Sequence, residues 1–585
     1  MQSWLKASVL GAAVLMMTCT TVNVELAHST KNNAQVLQIQ TRAQQVKINQ
    51  VGYLPSAPKI AVVPNTNATR FELVQTGSSI TVYQGQLSEA RNWPVAQESV
   101  RLANFSNFNL PGTYTLKVQG LPDSMPITIS ADAYQDIHQG AVKAYYFNRA
   151  STALTQKFAG DWQRPQGHLD NHVLVHQSAV DSQRTPGTII DASKGWYDAG
   201  DYNKYVVNSG ISVYTLLASY QHNTALYTDL KTHIPESNNT APDILDEIKW
   251  NLDWMLKMQD PVDGGVYHKL TSLNFAAGVM PHQASAKRYV VQKTTAATLN
   301  FAAVMAKASV IYGQLDEFSS MSTQYQRAAE FAWQWALANR QVKYTQPSDV
   351  RTGEYGDSNF EDEFTWASAE LFLLTNNNDY WQEFTHYFAK PRVPSWRQTA
   401  ALAYISLLTH HQNVLSKADY IKVKSRFIGL ADTLLTQHHQ SAYATAMTSQ
   451  DFVWGSNSVA LNKAMILLVA HKVINKPAYE VAAIGLLDYV LGKNPLDLTY
   501  VTGFGYLSPQ HPHHRQSYAD DISAPVPGFL VGGPHSGQQD KCDYKSTLPA
   551  LSYVDSWCSY ATNEVTINWN APLVYTLGTL LQQRP

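Results

Sequence analysis

The alternation of apolar and polar positions changes character near residue 130. Between residues 46 and 130 short segments alternate with a period of two, as in TYTLKV at 113–118. There Tyr114, Leu116 and Val118 point to one face, and the turn signal Pro111-Gly112 comes just before them. Several short strands separated by turns predict a small β-sandwich over residues 46–130.

From residue 131 onward the apolar period becomes that of a helix. Val213, Leu216, Leu217 and Tyr220 follow the i, i+3, i+4, i+7 spacing of an amphipathic helix. Similar stretches lie near 136–156, 245–256, 294–311, 322–338, 363–374, 396–410, 418–436, 458–473, 478–491 and 572–582. No short repeat of fixed period is present, which argues against a solenoid. We expect residues 131–585 to form one large, mainly α domain; periodicity does not decide whether its helices close into a ring.

The N-terminal segment has the pattern of a secretory signal. Lys6 is followed by an apolar run, Ala7–Thr18, that is too short to span a bilayer. We therefore assign residues 1–28 to a signal peptide and the polar residues 29–45 to a linker. Cys19 follows the run in a context that loosely resembles a bacterial lipoprotein box, so a lipid anchor at Cys19 is the alternative. Export to the periplasm, anchoring at the outer membrane and full secretion all remain open.

Export also bears on the remaining cysteines. Only Cys542 and Cys558 follow Cys19, and an oxidising compartment predicts a disulfide between them. No later segment is apolar enough over a sufficient length to be transmembrane.

Composition narrows the class of ligand. The chain has 43 Lys and Arg against 45 Asp and Glu, so nothing in its charge favours nucleic acid or an anionic membrane. It also has 14 Trp and 32 Tyr, a high aromatic content for a chain with little charge. Most of these rings belong to the core, but the remainder suit a neutral polyhydroxylated ligand whose C–H faces stack on aromatic rings.

The first candidate for chemistry is the acid pair in GWYDAGDYNKY, residues 195–205. Asp198 and Asp201 are three positions apart, so their carboxylates can meet at one turn. One interpretation is a helix N-cap with a second acid favoured by the helix dipole. The other is a general base, in which the two carboxylates hold one water between them.

A base of that kind needs an acid partner. Glu564 lies in an aromatic stretch with Trp557, Tyr560 and Trp569 nearby, and apolar surroundings raise a carboxyl pKa toward the range of a general acid. Cleavage of a glycosidic bond uses such a pair of carboxyl groups. Taken alone, Glu564 could equally be a solvated or helix-capping side chain.

The third element is GFGYLSPQHPHHR, residues 503–515. Its histidines do not have the i, i+4 spacing of a helical metal pair. Pro512 favours an extended backbone, in which alternate side chains point the same way. We therefore expect His513 and Arg515 to reach one cleft together, where they would bind sugar hydroxyls.

Together these three motifs identify a family. From about Val46 to the C-terminus, the sequence resembles glycoside hydrolase family 9, in the branch with an N-terminal immunoglobulin-like domain. The resemblance implies an (α/α)6 barrel and hydrolysis, with inversion, of β-1,4-glucosidic bonds in cellulose-type glucans or cellodextrins. It makes Asp201 the general base, Asp198 its partner on the water and Glu564 the general acid.

The resemblance also implies roles for neighbouring residues. It groups His513 with the three acids, and Arg515 and Tyr560 with the sugar being cut. Trp454 and His268 resemble further substrate-binding residues in the cleft. No cofactor is implied for the chemistry, and because residues 161–180 contain no cysteine, the zinc site of some relatives is not expected here.

Calcium is common in this family, and the segment YGDSNFEDEF at 355–364 has the right chemistry for it. Asp357, Asp362 and Glu363 could supply oxygen ligands. The alternative is an acidic helix start, with Asp362 and Glu363 in the first turn.

Two other functions stay open at the level of sequence. Chitosan oligomers differ from cellodextrins only at C2, so a glucosaminidase is the alternative within the hydrolases. A carbohydrate-binding protein without catalysis is the alternative outside them.

Overall fold

The computed structural model describes residues 44–410 and 414–582. The predictions for the signal peptide, for Cys19 and for nearly all of the linker lie outside the described residues. No helix within the described ranges combines the length and the apolar character that a bilayer crossing requires.

The N-terminal unit is the predicted β-sandwich. Its strands are β1 (Ile60–Pro64), β2 (Arg70–Gln75), β3 (Thr81–Gln86), β4 (Arg91–Trp93), β5 (Glu98–Asn104), β6 (Gly112–Lys117) and β7 (Ile127–Ile129). They form a three-stranded sheet in the order β1-β5-β4 and a four-stranded sheet in the order β3-β2-β6-β7, with antiparallel pairing throughout. Tyr114, Leu116 and Val118 are all buried between the sheets, as the period-two pattern predicts.

The rest of the described chain is mainly helical. Its helices are α1 (Gln135–Phe147), α2 (Gln156–Ala159), α3 (Val206–His222), α4 (Thr224–Asp229), α5 (Asp243–Met258), α6 (Thr295–Tyr312), α7 (Ser319–Ala338), α8 (Glu361–Thr375), α9 (Asn378–Tyr387), α10 (Ala400–Thr409), α11 (Lys417–Gln440), α12 (Ser456–Ile474), α13 (Pro477–Val490), α14 (Arg515–Ala519), α15 (Tyr560–Asn563) and α16 (Ile567–Gln582).

The packing of these helices closes a ring, which the sequence pattern could not decide. Helices α3, α6, α8, α10, α12 and α16 each contact the next, and α16 returns to α3. A second helix packs outside each of them, namely α5, α7, α9, α11, α13 and α1 in the same order. The inner helix α6 is buried almost all round, whereas the outer helix α7 buries only one face. The domain is therefore an (α/α)6 barrel.

Three local features differ from the sequence prediction. Helix α1 ends at Phe147 rather than near residue 156, and α9 was not predicted from its mixed pattern. The barrel also carries a five-stranded sheet, formed by β8 (Val173–Val175), β9 (Ile189–Ile190), β10 (Lys204–Tyr205), β11 (Lys269–Thr271) and β12 (Tyr289–Val290). These strands have two or three residues each, too few for an alternating pattern to be visible.

The sandwich packs directly on the barrel. The ring of Trp93 lies 4.2 Å from that of Tyr443, between centroids. The guanidinium of Arg91 donates to the backbone oxygens of Gln440, at 2.6 Å, and Ser441, at 3.1 Å. These oxygens are at the C-terminus of α11, where a cation is favourable.

Candidate active site

The three sequence motifs lie side by side in the backbone. Ala199, between the two acids, pairs with Thr566, and His513 pairs with Glu564, each in an isolated β-bridge. The amide of Arg515 donates to the carbonyl oxygen of Gly200 at 3.2 Å. Segments that are hundreds of residues apart in sequence thus form one continuous wall.

Gly200 makes this close approach feasible. A Cβ atom at this position would lie 2.1 Å from the carbonyl oxygen of His513. No side chain fits there, so the DAGD turn needs glycine for space rather than for an unusual backbone angle.

This wall borders a cleft of about 890 Å³. Asp198, Asp201 and Glu564 all line it. Its aromatic lining consists of Tyr205, Phe275, Tyr355, Trp396, Trp454, Tyr560 and Trp569. Three carboxyl groups facing one cleft with many aromatic rings suit the hydrolysis of a sugar chain.

The two aspartates are held in different ways. Asp201 accepts at Oδ2 from the side-chain amide of Asn203, at 2.5 Å, and from the hydroxyl of Tyr205, at 3.2 Å. Its Oδ1 has no hydrogen-bond partner among the described residues. Asp198 accepts at Oδ1 from Asn208 and at Oδ2 from Tyr355, both at 2.7 Å. Neither acid caps a helix, because α3 begins only at Val206.

Burial changes the acidity of all three groups. Loss of water raises the pKa of Asp198 well above its usual value, and the neighbouring charge of Asp201 raises it further. The pKa of Asp201 is also raised by burial, but the positive charge of Arg515 opposes that rise. For Glu564, burial and then the charge of Asp201 raise the pKa well above the ordinary glutamate value. Glu564 is therefore suited to hold a proton at a pH where an ordinary glutamate is ionised.

His513 and Arg515 both line the cleft, as do Trp454 and Tyr560. Arg515 donates from Nη1 to the carbonyl oxygen of Gly200 at 2.7 Å and from Nε to that of Ala276 at 2.9 Å. Through these hydrogen bonds Arg515 also fixes the turn between the two aspartates. The rings of Trp454 and Tyr560 are 5.4 Å apart between centroids.

His268 lies elsewhere than the sequence prediction placed it. It is completely buried, stacks on Tyr344 at 4.1 Å and hydrogen-bonds through Nε2 to the backbone oxygen of Glu354 at 2.7 Å. It is not among the residues that line the cleft. A direct contact between His268 and substrate is thus not available in this structure.

The acidic segment before α8 is a helix start. Asp357 accepts at Oδ1 from the backbone amides of Ser358 and Asn359, and Asp362 accepts at Oδ2 from the amide of Thr399. Glu363 is fully buried and neither of its oxygens has a hydrogen-bond partner among the described residues. Over residues 44–410 and 414–582, no three His, Cys, Asp or Glu side chains are grouped closely enough to hold a metal ion. Calcium at Asp357, Asp362 and Glu363 stays a prediction.

Sequence reasoning missed the side chains that orient the aspartates. Asn203 and Tyr205 lie within the same motif as the two acids, so a closer reading of that motif could have found them. Tyr355 comes from a loop more than 150 positions away and Asn208 from a helix face, and neither carries a distinguishing local signal. The predicted disulfide between Cys542 and Cys558 is present.

A barrel of paired helices with three acids lining one aromatic cleft is the arrangement expected of a glycoside hydrolase. Comparison with known families shows which family of glycoside hydrolases matches this chain. Residues 134–577 match the model of glycosyl hydrolase family 9, and residues 41–123 match that of the cellulase N-terminal Ig-like domain. The chain belongs to glycosyl hydrolase family 9.

Individual relatives match over nearly the whole chain. A xyloglucan-specific endo-β-1,4-glucanase of Bacteroides ovatus is 40% identical over 552 residues, which cover 92% of this chain and 93% of that protein. A cellodextrinase of Butyrivibrio fibrisolvens is 31% identical, over 92% of this chain and 100% of that protein.

Solved structures agree with this assignment. A family 9 structure from Bacteroides ovatus superposes with a TM-score of 0.87 at 38% identity, covering 92% of this chain and 99% of that one. A thermostable endoglucanase of Alicyclobacillus acidocaldarius gives 0.85 at 30% identity, covering 92% and 99%.

Proposed function

We propose that this glycoside hydrolase cleaves β-1,4-glucosidic bonds in glucans or cellodextrins, with inversion at the anomeric carbon. The observation that carries the proposal is that Asp201 and Glu564 line the same cleft, where burial raises both pKa values and the charge of Asp201 raises that of Glu564 further. Relatives described as endo-β-1,4-glucanases and as a cellodextrinase support the substrate class.

The base side of the reaction uses the two aspartates. Because Asn203 and Tyr205 occupy Oδ2 of Asp201, its Oδ1 is the oxygen free to take a proton from water. Asp198 is held by two donors and orients the same water through its remaining acceptor capacity. The water oxygen bonds to the anomeric carbon as its proton passes to Asp201.

The acid side uses Glu564. As the bond between the anomeric carbon and the bridging oxygen breaks, Glu564 transfers its proton to that oxygen, and the leaving chain departs as an alcohol. Its raised pKa keeps this proton in place before the reaction. The aromatic rings of the cleft hold the sugars by stacking on their C–H faces.

The test is hydrolysis of a panel of substrates with the anomer followed by NMR. We expect new reducing ends from β-1,4-glucans, xyloglucan or cellodextrins, with the α-anomer appearing first. First appearance of the β-anomer would contradict inversion, and failure on every β-1,4-glucan would contradict the substrate class.

One observation favours the alternative substrate. The exposed carboxyl side chain of Glu354 lines the same cleft, next to Tyr355, where it could face a sugar amine. Chitosan oligomers therefore belong in the panel. Cleavage of these with no action on glucans would identify a glucosaminidase, and Glu354→Gln would then reduce activity on the amino sugar selectively.

A further inference from the structure

Three aromatic rings form a stack that runs from the cleft to the surface. The imidazole of His513 lies 4.4 Å from the ring of Trp557 with 18° between the planes. The ring of Tyr518 lies 4.2 Å from the same Trp557 ring with 19° between the planes. Two parallel rings at these distances occupy opposite faces, so Trp557 is held between them. Tyr518 is 56% exposed and forms the outer end of the stack.

The backbone of Trp557 also determines where His513 carries its proton. Nδ1 of His513 lies 2.7 Å from the carbonyl oxygen of Trp557. A carbonyl oxygen can only accept, so Nδ1 bears the hydrogen. Burial lowers the pKa of His513 to about 4, so the ring is neutral near pH 7 and Nε2 has a free lone pair. No hydrogen-bond partner for Nε2 is found in the described part of the chain, and His513 lines the cleft.

The segment that bears Trp557 is tied down from its other side. Cys558 follows Trp557 directly and is disulfide-bonded to Cys542. The carboxylate of Asp540 accepts from the hydroxyl of Ser559 and the amide of Ala561, both at 2.9 Å. The disulfide and these two hydrogen bonds therefore connect the segment that bears Trp557 to the neighbouring segment at residues 540–542.

We propose that Trp557, held by the Cys542–Cys558 disulfide and covered by Tyr518, is a positioning residue for His513. It fixes the imidazole as the Nδ1–H tautomer and presents Nε2 to the cleft as a hydrogen-bond acceptor for a sugar hydroxyl. The sugar part of this assignment rests on the proposed function, whereas the tautomer does not.

The consequence is a loss of catalytic efficiency when the stack is broken. In Trp557→Ala the imidazole loses its parallel neighbour and can turn, so we expect kcat/KM to fall about 10- to 100-fold, as a small misplacement of a substrate-contacting group does. Trp557→Phe retains a parallel ring and should recover most of this loss. Tyr518→Ala should have a smaller effect than Trp557→Ala, and Tyr518→Phe should have none.

The decisive measurement is long-range ¹H–¹⁵N NMR of the histidine rings in the full-length protein, with the His513 signals assigned by their loss in His513→Gln. Wild type and Trp557→Phe should show a protonated Nδ1 and an unprotonated Nε2. Trp557→Ala keeps the carbonyl oxygen that accepts from Nδ1 but removes the stacking ring, so the His513 ring signals should shift and broaden relative to wild type as the imidazole turns. Trp335→Ala, which removes a partly buried tryptophan outside the cleft lining, is the matched control and should leave both the signals and kcat/KM unchanged.

Two results would overturn the assignment: a wild-type His513 with its proton on Nε2, or a folded Trp557→Ala protein with wild-type kcat/KM. A failure of the proposed function would give a different combination of kinetic and NMR results. If no β-1,4-glucan is cleaved while the His513 ring signals still change in Trp557→Ala, the positioning role stands and the substrate class is what fails.

Discussion

The cleft lined by Asp198, Asp201 and Glu564 and the start of α8 each hold three acids that are largely withdrawn from water, and the two clusters are built differently. In the cleft, Asp198 and Asp201 accept from side-chain donors, and Arg515 supplies a positive charge. At the helix start, Asp357 and Asp362 accept mainly from backbone amides. Among the described residues, the cation that pairs with this cluster is the exposed Arg397, whose Nε is 3.9 Å from Asp357.

The degree of burial alone does not distinguish the acids of the cleft from those of the helix start. It raises the pKa of Glu363 well above the usual glutamate value, just as it does for Glu564. What differs is access, since Glu564 lines the cleft and Glu363 is sealed inside the protein. A raised pKa therefore indicates a catalytic acid only where substrate can reach the group.

The largest effect is expected from matched glutamate substitutions. Glu564→Gln keeps the shape of the side chain but removes the transferable proton, so kcat should fall about 10⁴-fold, the upper end for a general acid. Glu363→Gln makes the same chemical change in the other cluster and should retain wild-type kcat. Steady-state kinetics on a cellodextrin measures both, with circular dichroism as the check on folding. Equal losses in the two variants would remove the functional distinction.

The aspartates give the next largest contrast. Asp201→Ala should lower kcat about 10²- to 10³-fold, less than Glu564→Gln, because Asp198 still lies beside the water. Asp362→Ala should instead leave a buried Thr399 amide unpaired and cost about 1–3 kcal/mol of unfolding free energy. Kinetics and thermal melts on the same preparations separate the effects. A purified Asp201→Ala enzyme with near-wild-type turnover would contradict the base assignment.

The pH profile of activity tests the electrostatic role of Arg515 in the cleft. No described cation has a comparable effect on the pKa values of Asp362 and Glu363 at the helix start. Activity should rise with pH as Asp201 ionises and fall as Glu564 loses its proton, and both pKa values are raised above their ordinary values. Because Arg515 lowers both pKa values, Arg515→Met should move both limbs of the kcat/KM profile up by about one pH unit. Arg515→Lys keeps the charge and should move them less. Limbs that do not move would show that Arg515 acts only through its hydrogen bonds.

The sequence was informative where chemistry and periodicity are local. The period-two segments predicted the sandwich, and the spacing of apolar residues located most of the helices of the barrel. The motif at Asp198 and Asp201 could be found because both acids lie in one turn. Ring closure depends on which helices contact one another across the domain, and periodicity contains no such information.

The same limit explains what was missed in the site. Tyr355 orients Asp198 from a loop far away in sequence, and nothing near Tyr355 marks it for that role. His268 does not lie in the cleft lining as predicted, because its imidazole is fully buried against Tyr344 and the backbone oxygen of Glu354. A motif fixes the residue type at a position, whereas exposure to the cleft depends on the surrounding chain.

The smallest expected effect concerns calcium at the helix start. If Asp357, Asp362 and Glu363 bind calcium, the ion would give the two unpartnered oxygens of Glu363 a partner, and saturating calcium should raise Tm by a few degrees relative to excess chelator. Glu363→Gln should abolish that shift, while Glu564→Gln should retain it, since Glu564 lies in the other cluster. Because the ion would stabilise a helix start outside the cleft lining, kcat at a temperature well below Tm should not depend on calcium. A calcium-dependent kcat without any change in Tm would move the ion from the helix start to the cleft, and no shift in either would leave Glu363 a buried acid that the fold keeps protonated.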